Sequence, residues 1–428
     1  MLKQSAVKFI WVAGPKVIAG ALQFILTLIL MRHYGPAQFG AISVCMSAVI
    51  LCVSIVGGAT DSGVLRLAPS TSGRRGDLSV AYQQAGVILK LCFVLLIAIP
   101  VLLFGSKLSS LLFQTSRDAI YITTSLVALL ATLLMRSAQM QYQITERFAI
   151  YGIADLANSV LKFGGIAILL SLAHPAPLTV LAMYGLTTLF VAAMLFFLTG
   201  NTVLKAGFSR SLLTELAGHV KWFVLVSATG TLLSRMDLFL VSSMLGVASA
   251  GIYSAAQLIA LIPQLIGSYI AVVFSPRIMP MWEAGTLAKL YRDVQLGLVC
   301  VAILAYMSAF AILPRMSTGL FPPSFLSALP LILLLLPSGL CAFINFPLTL
   351  LLLLFIRPRF LVLLDCVSLP LLLAAYAWAI RAHGVIGAAT VTTTAAIFKT
   401  LIMQIAGWRL LRNQTQTALP AVVSALGH

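Results

Sequence analysis

Apolar residues along this chain neither alternate nor recur at amphipathic spacing. They run on for about twenty positions at a time, the length a helix needs to cross a bilayer, before a short polar link interrupts them. Twelve such runs fit, at 10–31, 39–60, 82–104, 119–142, 151–172, 178–199, 219–244, 249–274, 292–313, 327–354, 360–380 and 385–407. The longest link, Asp61 to Ala81, leaves no room for an inserted soluble domain. The run 327–354 carries Pro330, Pro337 and Pro347, which leaves open a kinked or a broken helix. The pattern predicts an all-α integral membrane protein.

The links contain a repeat. His33 to Ser43, read HYGPAQFGAIS, returns 211 residues later as Met244 to Ser254, read MLGVASAGIYS. Gly35 falls on Gly246, Ala37 on Ala248, Gly40 on Gly251 and Ser43 on Ser254. The offset is almost half of 428, so the chain reads as two similar halves. A fainter echo at an offset of 210 lays Arg147, Ile150 and Asp155 on Arg357, Phe360 and Asp365. The expected division is an N-terminal six-helix lobe over 1–200, a linker over 201–218 and a C-terminal six-helix lobe over 219–428. Six spans per lobe make the repeat parallel, about a pseudo-twofold axis along the membrane normal. The glycines of the repeated link are expected to serve tight turns and close helix approach.

Composition agrees with the pattern. Hydrophobic residues make up 61% of the chain and charged residues 9%, with a mean hydropathy of +1.07. A net charge of +17 would ordinarily raise nucleic acid as a partner, but the Lys and Arg sit in links, where they set membrane orientation. With the N-terminus inside, sixteen link cations fall on the inner side, from Lys3 and Lys8 through Arg74, Arg75 and Arg147 to Arg409 and Arg412. Five fall outside: Arg32, Lys107, Arg117, Arg315 and Arg381. Both termini are therefore expected in the cytoplasm. The first run starts behind Lys3 and Lys8 as a signal peptide does, yet is too long for a signal core and reads as a retained helix. The six cysteines lie inside apolar runs without metal-ligand spacing and read as packing residues.

Six cations remain within the spans: Lys16, Lys90, Arg136, Lys162, Arg235 and Lys399. Asp155, Asp237 and Asp365 join them. An ionised group at the centre of a lone helix costs about 2.5–3.5 kcal/mol on insertion scales, so such groups face a protein interior or a wet cavity. Lys16, near a span end, has the alternative of snorkelling to the cytoplasmic interface. Polar residues share helical faces. Asp155, Asn158 and Lys162 form one stripe, Arg136, Gln139 and Gln143 a second, and Ser254, Gln257, Gln264 and Ser268 a third; Gln83 and Lys90 share a spacing of seven. Mutual neutralisation as structural pairs is the competing account, above all for Arg235, Asp237, Asp365 and Lys399. In the first half, cations exceed span carboxylates by four to one, Lys16, Lys90, Arg136 and Lys162 against Asp155, an excess that an anionic ligand would balance. Asp155, Asp237 and Asp365 are candidates for proton or Na⁺ coupling. No catalytic motif, phosphate loop, cofactor motif or metal-ligand spacing is present, so the chain reads as a transporter rather than an enzyme.

The link YGPAQFG after the first run, the tetrad SRMD from Ser234 to Asp237, and AGIYSAAQL from Ala250 to Leu258 resemble the polysaccharide-biosynthesis flippases. These are Wzx-type O-antigen and capsule repeat-unit translocases of the multidrug/oligosaccharidyl-lipid/polysaccharide exporter superfamily. The resemblance implies two six-helix lobes around a cavity that opens to either side in turn. It implies an undecaprenyl-pyrophosphate-linked oligosaccharide as substrate, the bacterial inner membrane as location, and polysaccharide polymerase machinery as a partner. On that reading Lys90, Arg136, Lys162 and Arg235 face the cavity, and Lys162 and Arg136 are the foremost candidates to contact anionic groups, with Lys16 and Lys399 behind them. Drug and cation antiporters of the same superfamily would call for first-half carboxylates, and lipid II flippases typically carry two further helices. A glycan polymerase or ligase would call for a sizeable outer loop.

Overall fold

The computed structural model describes residues 2–68, 75–114, 119–145, 147–172, 175–200, 202–205, 207, 209–267, 287–320, 322–355 and 359–425. Arg74, Arg117, Ser268 and Arg357 lie outside the described residues, as do the side chains of Lys3, Lys8, Phe360 and Arg412. The described residues contain no strand. In hydrocarbon each backbone N–H and C=O must be satisfied within its own segment, and apolar runs of this length do so as helices.

The chain packs as two units, Met1–Gly251 and Ile252–His428. In the first, α1 (Leu2–His33) leads through Gly35 into α2 (Pro36–Cys52), with Pro36 at the first helical turn, where its missing N–H costs nothing. A π-helical segment, Val53–Gly58, continues α2 into α3 (Ala59–Leu67). The second run therefore stays helical to Leu67, beyond the expected end at residue 60. Asp61, Ser62 and Arg66 lower its hydropathy without breaking it. Then follow α4 (Arg75–Phe113, kinked at Phe104 four residues after Pro100), α5 (Ala119–Ile144), α6 (Phe148–Leu172) and α7 (Pro177–Leu198). The short α8 (Thr202–Lys205) leads to α9 (Arg210–Leu233) and α10 (Met236–Leu245). The seventh run thus breaks at Ser234 and Arg235 into two helices, instead of running straight through.

The hub of this unit is α5. Ala131, Leu133 and Ala138 on it are at most 1% exposed, and its buried face packs on α4 and α7. Packing does not follow the repeat. Leu216 and Val220 of α9 sit against Val64, Ala68 and Tyr82 of α3 and α4, and the Tyr82 hydroxyl donates to Glu215 at 2.8 Å. Ser242 of α10 donates to the Leu112 carbonyl, and Gln114 donates to Ser243 O at 3.0 Å.

The repeated links meet each other. A Cβ on Gly40 would strike the Val247 carbonyl oxygen and come within 2.9 Å of Gly251 N, and a Cβ on Gly251 would strike the Pro36 carbonyl oxygen. Two backbones approach this closely only where neither carries a side chain. Gly246, with φ of 88°, provides the turn into α11 (Val247–Ala260). Gly35 has an ordinary φ of −71°, and a Cβ there would meet nothing within 4 Å, so glycine is not required.

In the second unit α12 (Leu287–Leu320) and α13 (Ala328–Phe355) precede α14 (Arg359–Ala425). Both Pro337 and Pro347 lie inside a continuous α13, so the run is not a broken helix. Within α14, Gly384 adopts φ 60°, ψ −137° and the chain doubles back. Sixteen residues of straight helix would span about 24 Å, yet the hydroxyls of Tyr376 and Thr392 are 2.9 Å apart. The run Leu363–Arg409 is therefore two antiparallel spans. Eleven helices are long and apolar enough to cross a membrane among the described residues with that run counted as one. The polar stripe read along 254–268 is interrupted by a turn at Leu261 between Gln257 and Gln264.

Candidate functional site

In the first unit α1, α3, α5 and α6 enclose a cavity of about 540 Å³. Two stripes read from sequence face each other across it: Arg136, Gln139 and Gln143 from α5, and Asp155 and Asn158 from α6. Lys16 closes the α1 side and Asp61 the α3 side. These residues stand near the start of span Gly14–His33, the end of Pro36–Leu67, the end of Ala119–Ile144 and the start of Phe148–Leu172. Spans alternate in direction, so all four ends lie on one side of the membrane, the side of the N-terminus. The Gly40–Gly251 seam belongs to the opposite end.

Local chemistry fixes each group. Lys16 Nζ lies 3.8 Å from Asp155 Oδ2, donates to the Tyr151 hydroxyl at 3.3 Å and sits over that ring at 4.7 Å. It lines the wall rather than snorkelling away. Gln139 Nε2 donates to Asp155 Oδ1 at 2.7 Å. On the facing wall Lys90, 4% exposed, donates to Asp61 Oδ1 at 2.6 Å and to Ser137 Oγ at 2.9 Å. Arg136 Nε lies 3.3 Å from Asp61 Oδ2. Gly57, within the π segment, would bring a Cβ to 3.1 Å from Leu133 and 3.7 Å from Arg136. Its lack of a side chain lets α5 press close and bring Arg136 to Asp61. The wider π turn also rotates the helix that follows it by about one residue's worth.

Asp61 is the residue that hydropathy concealed, because its polar neighbourhood placed it in the link. A usable signal was present: Gly58, Asp61, Ser62 and Leu65 lie at helical spacing on one face, and all four line the cavity. Counting it changes the balance from four cations against one carboxylate to four against two. In the wall itself Lys16 and Arg136 are matched by Asp155 and Asp61, and Lys90 adds one positive charge behind them. Asp155 pairs with Lys16 on another helix, not with Lys162, which shares its own stripe.

The remaining candidates stand apart from this wall. Lys162 lies two turns beyond Asp155, its Nζ over the Tyr184 ring at 5.3 Å, where Gln23 donates to the Tyr184 hydroxyl at 2.8 Å. Arg235 occupies the N-cap of α10 with φ of −131°, and Asp237, 3% exposed, accepts from the Leu238 N–H at 2.8 Å. Both belong to the break between α9 and α10. Lys399 and Asp365 pair at 2.9 Å across the hairpin of the second unit. Among the described residues no group of His, Cys, Asp and Glu is placed to hold a metal.

An all-helical chain with this many spans and a polar, charge-lined cavity among them is a multi-pass membrane transporter. Solved structures share the fold. A multidrug resistance MATE family transporter of the MOP superfamily, in an inward-facing conformation, matches with a TM-score of 0.67 at 14% identity, covering 93% of this chain and 96% of that one. The lipid II flippase MurJ, inward closed, matches with a TM-score of 0.68 at 11% identity, covering 96% and 92%. A variant of the Vibrio cholerae MATE transporter VcmN matches at 0.59 and 12% identity, covering 96% and 98%. No curated protein sequence matches this chain significantly. The family model described as polysaccharide biosynthesis protein matches residues 29–316, about two thirds of the chain. The chain belongs to the polysaccharide biosynthesis protein family.

Proposed function

We propose that the protein translocates a lipid-linked oligosaccharide repeat unit, carried on undecaprenyl pyrophosphate, across the bacterial inner membrane by alternating access, for O-antigen, capsule or exopolysaccharide synthesis. The observation that carries this reading is the composition of the cavity wall. Gln139, Gln143 and Asn158 offer both donors and acceptors, Asp61 and Asp155 are able to accept from hydroxyls, and Lys16 and Arg136 are able to donate to phosphate. A sugar with an anionic anchor needs that mixture, whereas an apolar drug does not. Placing the N-terminus in the cytoplasm, as the link cations favour, opens the cavity toward the leaflet where such a substrate is assembled. On this reading 1–200 and 219–428 are the two lobes and 201–218 their linker, the cavity belongs to the first lobe, and surrounding membrane lipids accommodate the carrier. Asp155 in the wall is the foremost candidate for proton or Na⁺ coupling, ahead of Asp237 and Asp365. Polysaccharide polymerase machinery would take the product on the far side.

A second reading, a drug or cation antiporter, draws support from the two wall carboxylates, Asp61 and Asp155, which could hold a cation. One experiment separates them. Purified protein in proteoliposomes is given labelled undecaprenyl-pyrophosphate-linked oligosaccharide, and a cationic dye in a parallel sample. Flipping of the glycolipid without dye transport supports the first reading, and dye antiport without flipping overturns it.

A further inference from the structure

Asp61 holds two cations unequally. Its Oδ1 takes the short bond, 2.6 Å, from Lys90, a side chain 4% exposed and anchored also on Ser137. Its Oδ2 lies 3.3 Å from Nε of the half-open Arg136, which is 43% exposed. A guanidinium carries five N–H donors in a fork that suits two oxygens of one phosphate. The carboxylate thus occupies part of an anion site that Arg136 offers to the cavity, and its grip there is the weaker of its two. We propose that Asp61 is the resident counter-ion of that site: it neutralises Arg136 while the cavity is empty, yields it to a phosphate group, and stays on Lys90 when displaced.

Selectivity follows from the exchange. A carboxylate ligand would only replace one carboxylate by another, with no gain in charge or geometry. A pyrophosphate brings more charge and more oxygens than the group it displaces, so the site selects polyanions over single carboxylates. Release follows too, since Asp61 remains a few ångströms away and competes to return. Removing its charge should therefore tighten binding and slow transport together, a pairing that a merely structural residue would not produce.

This inference rests on the reading of the cavity as the holder of the substrate's phosphate, and the test separates the two. Binding of inorganic pyrophosphate and of acetate is measured by calorimetry on the full-length purified protein, and glycolipid flipping in proteoliposomes. The wild type should bind pyrophosphate in preference to acetate, and R136A should lose that binding. D61N should bind pyrophosphate about tenfold or more tightly, the size expected when one like charge is removed from a ligand's neighbourhood at the dielectric of a protein surface, and should flip more slowly. D61N leaves Lys90 buried without its counter-charge, so D61N/K90M, which removes both charges, carries the same comparison if the single variant does not accumulate. Pyrophosphate binding by the wild type that is lost in R136A, but no tighter in D61N or D61N/K90M, overturns the role of Asp61 alone. No pyrophosphate binding by the wild type, or undiminished binding by R136A, removes the phosphate-holding reading and this inference with it.

Discussion

The two ends of the first unit are built on opposite principles. At one end α2 and the start of α11 touch backbone to backbone through Gly40 and Gly251, and neither glycine brings a charge or a side chain. At the other end α1, α3, α5 and α6 stand apart around a cavity walled by Lys16, Asp61, Arg136 and Asp155. The seam is intolerant of volume and indifferent to charge. The cavity has room for volume, and its charges are arranged in partnered sets. A transporter of the proposed kind needs both properties in one packed unit: a closure that fits in one way, and a site whose ionic partners can be exchanged.

The largest effect is expected from a side chain placed in the seam. Gly40→Val forces a branched Cβ against the Val247 carbonyl, and relief requires the two helices to part. Overpacking costs about 1–3 kcal/mol where a side chain can give way, and here the obstacle is backbone, so the cost should lie at or above the top of that range. A large fall in the thermal midpoint of the detergent-purified protein is expected, together with loss of flipping. Gly35→Ala, one turn away in a position of ordinary φ and open space, should leave both unchanged. Equal behaviour of the two variants would show that the seam is not what the glycines serve.

On the cavity side, Arg136→Ala removes the one wall guanidinium and leaves Asp61 on Lys90. Flipping should fall by about tenfold or more, the effect of losing a charge-assisted contact of roughly 1.5–3 kcal/mol, while the protein accumulates normally. Arg136→Lys should recover only part, because a point charge lacks the guanidinium fork. Lys162 divides the sequence reading from the structural one. From its stripe it ranks with Arg136; from its place over Tyr184, outside the wall, Lys162→Ala should cost flipping about two- to fivefold at most, on the scale of a cation–π contact of about 0.5–1 kcal/mol. A loss as deep as that of Arg136→Ala would mean that the substrate path extends beyond this wall.

The fold was legible because membrane crossing is decided by run length, which needs no tertiary information. The parallel repeat announced which glycines would matter, and three of the four now have a geometric reason: Gly40 and Gly251 for approach, Gly246 for its φ. The site was half legible. Helical spacing found the α5 and α6 stripes, since 3.6-residue periodicity carries that information along one helix. It could not find the partner of Lys90, because Asp61 lies 29 residues away in sequence and behind a π segment that shifts the phase of the helix. Nor could it pair Asp155 with Lys16 over Lys162, a choice made by which helices pack together.

The smallest effect is expected from a pair that belongs to neither end of the first unit. Lys399 and Asp365 face each other across the last hairpin at 2.9 Å, with the Asp365 carboxylate 15% exposed. Replacing one partner strands a charge on a membrane-spanning helix, at a cost of about 2.5–3.5 kcal/mol on insertion scales. Replacing both with apolar residues of similar volume removes that penalty, since no unpaired charge is left on either helix. K399M and D365L are therefore each expected to lower the amount of folded protein, and K399M/D365L to restore it with flipping near the wild-type rate. If the double variant folds but flips at a small fraction of that rate, the pair contributes to transport directly, and the functional charges are not confined to the cavity of the first unit.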